Sequence, residues 1–229
     1  MFHLPRATGR VGLTVSRIGL AVGLAGAAFA AVAIPGTAQA GPAVAARLTN
    51  IPAATAVPAL PTIAVLLAPY AGAFDQDNNN FNIASHLVLQ FPDIVAAATK
   101  PGSSTVFLPT DYAFRRLIQV LTGSTVVPEA DLLKAVQRLG AATLGAIVRF
   151  HILDGTRFTY AMAAQANGLQ LRTLQGGTVR VGVDRIPQLT VHLRDKAPRL
   201  ADAKIVRANW QASNGLIHVI DRVMMPMAA

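Results

Sequence analysis

The spacing of apolar residues changes along this chain, and that change restricts its fold more than any other feature. From Ile83 to Arg149 apolar residues recur mostly three and four apart, the interval of helices with one buried face. After Leu169 they alternate with polar residues, as in strands with one face on a core. Pro92, Pro109 and Pro128 punctuate the first part, because proline is tolerated only where a helix begins or ends. The pattern predicts helices over 83–98 (divided at Pro92), over 110–121 behind Thr110 as N-cap, over 128–139 and over 142–149. It predicts a short buried strand over 105–108 among them. The later strands are expected at 169–174 and 179–183 about Gly176-Gly177, at 190–193, at 204–206, and over 216–221 with a continuation to 225. Asn214-Gly215 is read as a turn needing positive φ. Helices in the first half and antiparallel strands in the second give an α+β domain.

The first 40 residues carry no Asp or Glu and three basic residues, Arg6, Arg10 and Arg17. An apolar run over 18–34 follows, Pro35-Gly36 breaks it, and Ala38-Gln39-Ala40 places small residues where a signal peptidase reads. This is the order of a secretory signal, with cleavage expected after Ala40. The scheme is a signal peptide over 1–40, an Ala/Pro-rich linker and N-terminal element over 41–73, and the folded domain over 74–227. Pro42, Pro52, Pro58, Pro61 and Pro69 argue against a continuous helix in the linker, so the mature chain is not expected to span a membrane. A short apolar element is expected at 62–67.

Export reshapes the charge argument. The whole chain carries 20 basic and 11 acidic residues, +9 in all; losing the three arginines of the leader leaves +6. The secretory route sets nucleic acid aside as a partner, and a modest positive balance favours anionic wall or matrix polymers instead. The absence of cysteine excludes a disulfide scaffold, thiolate metal sites and a Cys nucleophile.

Catalytic signatures are missing. The chain has no G-x-S-x-G elbow, no H-E-x-x-H pair and no phosphate-cradling G-x-x-x-x-G-K. The run DQDNNNFN over 75–82 spaces its oxygen groups like a calcium loop, but Asn80 and His86 stand where an EF-hand needs Gly and Glu. It is read as a polar loop capping the next helix. No catalytic residue, metal site or cofactor is expected, and the protein is read as a non-enzyme.

Three segments, in order, resemble the fasciclin (FAS1) family: TVFLPTDYAFRRL over 105–117, RFHILDG over 149–155 and SNGLIHVIDRVMMP over 213–226. LRTLQGGTVRV over 171–181 is similar to a hairpin that the family places between them, and FDQDNNNFNI looks like a variant of exported actinobacterial members. The resemblance implies a wedge of strands packed on helices and an extracellular adhesion or interaction module. Its motif residues here are Thr105, Phe107, Pro109, Thr110, Phe114, Phe150, His151, Asn214, Gly215, His218 and Asp221, read as mostly structural. Phe150 and Asp154-Gly155 depart from the family's Tyr-His and Pro-Gly, so integrin contact is not carried over.

The expected function is therefore a secreted or envelope-associated module that binds an extracellular protein or an anionic polymer. Arg172, Arg180, Arg185, Arg194 and Lys196 are the candidate polyanion contacts. The alternative is a carrier of a small hydrophobic ligand or lipid, with Met224, Met225 and Met227 offering an adaptable surface. Oligomeric state has no signature in the sequence.

Overall fold

The computed structural model describes residues 59–226 except 127 and 198. The expected signal peptide and most of the Ala/Pro-rich segment lie outside the described residues. Contacts divide the chain into Met1–Thr55 and Ala56–Ala229, and every described element belongs to the second unit.

In chain order it comprises α1 (Ile63–Leu67), a 3-10 turn (Ala68–Ala71), α2 (Asn82–Val88), α3 (Pro92–Thr99), β1 (Ser104–Pro109), α4 (Asp111–Thr122), α5 (Glu129–Gln137), α6 (Ala141–Phe150), β2 (Ile152–Leu153) and α7 (Tyr160–Gln165). Strands β3 (Gln170–Arg172), β4 (Thr178–Asp184), β5 (Thr190–Arg194), β6 (Ala203–Ala212) and β7 (Gly215–Ile220) complete it. Threonine side chains open three helices: Thr62, Thr110 and Thr159 accept from the amides of Val65, Ala113 and Met162, each satisfying a donor that has no partner inside the helix.

The seven strands form one mixed sheet in the order β2-β1-β7-β6-β5-β4-β3. Only β1 and β7 pair in parallel, and all six residues of β7 are buried. Alternate residues of these two strands enter two cores. Leu108, Ile217 and Val219 pack against helices α1 to α6. Phe107 and Ile220 pack instead with Val179, Val181, Val191 and Leu193 of β4 and β5. The sheet therefore folds back on itself, enclosing the second core and leaving the outer face of β3–β5 to solvent. This is the expected α+β wedge.

Three expectations are corrected. The strand read at 204–206 extends over Ala203–Ala212, because two register shifts against β7 destroy the alternation that marks a strand. The last strand, Gly215–Ile220, matches the expected 216–221 but does not continue to residue 225. Asn214-Gly215 adopts no positive φ; Gly215 is required for space, since a Cβ there would lie 2.2 Å from the Ser104 carbonyl oxygen.

Candidate functional site

On the outer face of the strand-rich half, register fixes which basic residues meet. Arg180 pairs directly with Arg194, Arg172 pairs with Thr178 beside Arg180, and His192 pairs with Lys204. Period two puts Arg172, Arg180, Arg194 and Lys204 on one side, and all four are exposed. Two carboxylates flank them: Asp202 lies 3.1 Å from Arg194 Nε, and Asp184 lies 2.6 Å from His192 Nε2. Among the described residues Arg172, Arg180 and Lys204 have no ion-pair partner. Like charges directly opposite each other weaken a sheet, so an anion across this face would relieve a repulsion already present. The structure leaves the other two candidates apart from this group: Arg185 follows β4 and donates to the Ala164 carbonyl of α7, and Lys196 lies beyond β5.

The motif residues lie inside. Thr105 Oγ1 donates to the Thr156 carbonyl and accepts from the Phe158 amide, while Phe107, Phe114 and Phe150 are core. Pro109 ends β1, and Thr110 follows it as the cap of α4. His151 donates through Nδ1 to the Ile147 carbonyl (2.8 Å) and accepts at Nε2 from the Met224 amide (3.0 Å). His218 uses the opposite tautomer: Nε2 donates to the Phe158 carbonyl and Nδ1 accepts from the Asn209 amide. Burial pushes His151 down to about 4 and lowers His218, so both rings are neutral linkers at physiological pH. Asn214 joins three segments, accepting from the Ile63 amide and donating to the carbonyls of Ala98 and Lys100. Asp221 Oδ1 accepts from the Lys204 amide at 2.7 Å.

Sequence reasoning missed a buried carboxylate pair. Asp111, fully buried, accepts from the backbone amides of Asn82 (3.0 Å) and Ile83 (2.9 Å). The cap of α2 therefore comes from α4, correcting the reading of the 75–82 loop as its own helix cap. Glu129 Oε2 accepts from the Asp75 amide and Asn82 Nδ2. Burial, and then the facing Glu129 charge, hold the Asp111 carboxyl up to about 7. Among the described residues no group of three or more acidic or histidine side chains is placed to hold a metal ion.

Three apolar chambers of about 160, 70 and 50 Å³ meet at Leu67 and Val88, between α1, α2, α3 and the sheet. The methionines do not line them. Met224 is buried in the second core, Met225 donates its amide to Asp195, and Met227 lies outside the described residues. Among the described residues no helix is long and apolar enough to cross a membrane.

The sequence model of the Fasciclin domain matches residues 79–226. The protein sll1483 of Synechocystis sp. is 30% identical over 134 residues, covering 58% of this chain and 61% of that protein. Human periostin is 27% identical over 141 residues, covering 60% of this chain and 14% of periostin. The chain thus spans less than two thirds of either curated relative. Among solved structures, a FAS1 domain pair from the insect cell adhesion molecule fasciclin I matches with a TM-score of 0.44 and 15% identity, over 64% of this chain and 45% of that one.

Proposed function

This chain belongs to the Fasciclin domain family, and we propose that it is a secreted, non-catalytic interaction module whose outer sheet face holds an anionic wall or matrix polymer. FAS1 domains are associated with adhesion and extracellular interaction. The observation that carries the finer reading is the alignment of Arg172, Arg180, Arg194 and Lys204 on one exposed face, with Arg180 and Arg194 directly opposed. A polymer with regularly spaced carboxylates or phosphates engages such a row without a pocket. The interaction is long-ranged and screened, over about 8 Å at physiological ionic strength.

Retention of the chain from Gly41 on immobilised anionic polymer is expected to weaken steadily with salt. The double substitution Arg180→Glu/Arg194→Glu should weaken it about tenfold, taking up to roughly 1 kcal/mol for each exposed charge. Retention that is unchanged in the double variant, or insensitive to salt, would sink this assignment.

The three joined apolar chambers support a second reading, in which the domain carries a small hydrophobic ligand. Their lining is mostly aliphatic, with Ser85, Ser104, His151 and Asp154 the polar side chains among it, and an apolar surface of this kind accepts apolar guests. A guest at a hundred times its Kd would add about 2.7 kcal/mol, a rise in Tm of roughly 5–11 °C for a domain of this size. Ala98→Phe, which fills the junction of two chambers, should remove that rise. A scan with single-chain amphiphiles that leaves Tm unmoved excludes this reading for such ligands.

A further inference from the structure

Strand β6 departs from period two where its exposed side chains gather. Ala203 and Ile205 point into the second core, and strict alternation would send Arg207 after them and put Trp210 on the opposite face. Two register shifts intervene, one between Ile205 and Arg207 and one between Arg207 and Trp210. They turn Arg207 outward and bring its guanidinium carbon 5.0 Å above the Trp210 ring. Asn209, inside the second shift, has φ 57°, in the left-handed region that asparagine enters more readily than other residues with a side chain. It is held from two sides: its Oδ1 accepts from the Tyr160 amide, and its own amide donates to His218 Nδ1. These two hydrogen bonds fix the bulge, and with it the placement of Arg207 and Trp210.

Across from Arg207 stands the loop preceding α2. Asp75 accepts from the Asp77 amide, and Asp77 accepts from the Asn79 amide. The carbonyls of Asn78 and Asn80 accept from the amides of Tyr112 and Asp111, so the loop is tied to α4. Between the two walls lies a cleft of about 350 Å³, with Phe81, Val219 and Tyr70 among its lining. Tyr70 meets Phe81 edge-on at 5.0 Å.

We propose that this cleft, between Arg207 on β6 and Asp77–Asn79 on the loop, binds a neutral saccharide unit. Its polar lining mixes one guanidinium, one carboxylate, carboxamides, the Thr110 hydroxyl and the Tyr70 phenol. Sugar hydroxyls both donate and accept, so a polyol can partner such a set, and its C–H face suits the part-exposed Tyr70 ring, which Phe81 backs from the core. An acyl chain would strand those polar groups. A polyanion would meet Asp77. Arg207 has no ion pair among the described residues, and stacking on Trp210 leaves its N–H edge oriented before a ligand arrives. The cleft shares no residue with the basic face, so the two readings fail independently.

Trp210 is the chain's single tryptophan and lies under the guanidinium, which makes it the reporter. Neutral hexasaccharides of glucose, mannose and galactose should be titrated against its fluorescence and by calorimetry, beside hexagalacturonate. At least one neutral sugar should give saturable binding, weakened about tenfold or more by Arg207→Ala and by Asn79→Ala and untouched by Arg180→Glu/Arg194→Glu. Both positions are exposed, and unchanged melting of the two variants checks that the fold is intact. Binding of no neutral sugar, or binding that survives both cleft substitutions, overturns the proposal. Binding of hexagalacturonate alone, lost in the sheet-face variant, also overturns it and assigns recognition to that face.

Discussion

Gly215→Ala is expected to lower the melting temperature by about 6–12 °C, from a destabilisation of roughly 3 kcal/mol or more. Gly215 pairs with Ser104 at the start of the parallel β1–β7 ladder. An added methyl would lie 2.2 Å from the Ser104 carbonyl oxygen and 3.0 Å from Ile63 Cδ1. Ile63 could shift, but the carbonyl is backbone and sits where the Ser104 amide also donates to Asn214. Moving the strands apart would disturb the Asn214 side chain, which ties α1 and the end of α3 to this point. The buried central strand contributes side chains to both cores, so the loss spreads to each. Gly102→Ala is the control: nothing lies within 4 Å of where its methyl would stand and its φ is not left-handed, so it should stay within about 0.5 kcal/mol of the parent. Calorimetric melts of the three proteins decide the matter, and a Gly215→Ala Tm within about 2 °C of the parent, roughly under 1 kcal/mol, would show that the ladder yields.

What could be read from the sequence was what is local. Thr110 is legible as a cap because its acceptor serves an amide three residues on. The breaks at Pro92 and Pro128 need only the missing amide hydrogen. Helix α7 is six residues long and too short to display a period. Asp111 caps a helix that starts 29 residues earlier, so nothing adjacent in sequence announces it. The tightness at Gly215 comes from β1, and a glycine after asparagine reads by default as a turn. The basic candidates were legible as a concentration of charge, but only the β4–β5 register singles out Arg180 and Arg194 as neighbours and leaves Arg185 and Lys196 aside. The cleft was hidden for a related reason. Bulges remove the alternation by which a strand is recognised, and they are what bring Arg207 to Trp210.

The second large effect is a stability that depends on pH through the Asp111–Glu129 pair. Burial and the neighbouring Glu129 raise Asp111 to about 7, against 3.8 for an exposed aspartate. The folded protein thus keeps a proton between about pH 4 and 7 that the unfolded chain releases, and stability falls as pH rises through that window, levelling off above 7. Half-buried Asp195 is shifted in the same direction and adds to the same slope. His151, lowered to about 4 by burial, acts oppositely: below 6.5 the unfolded chain gains a proton that the folded ring refuses, so stability falls as pH falls from 6.5 towards 4. His218 shifts in the same direction as His151. These slopes offset one another in the parent, so a difference between variants is the clean measure. Glu129→Gln keeps an oxygen for the Asp75 amide and Asn82 Nδ2 while removing the opposing charge. Relative to the parent it should gain more than about 1.4 kcal/mol between about pH 4 and pH 8, the equivalent of one pK unit. Asp111→Ala should instead lose stability at every pH, because it strands two buried amides at about 1–3 kcal/mol each. Urea titrations at half-unit steps read both, and parallel curves for the parent and Glu129→Gln across that range would mean that the Glu129 charge does not hold the Asp111 carboxyl up.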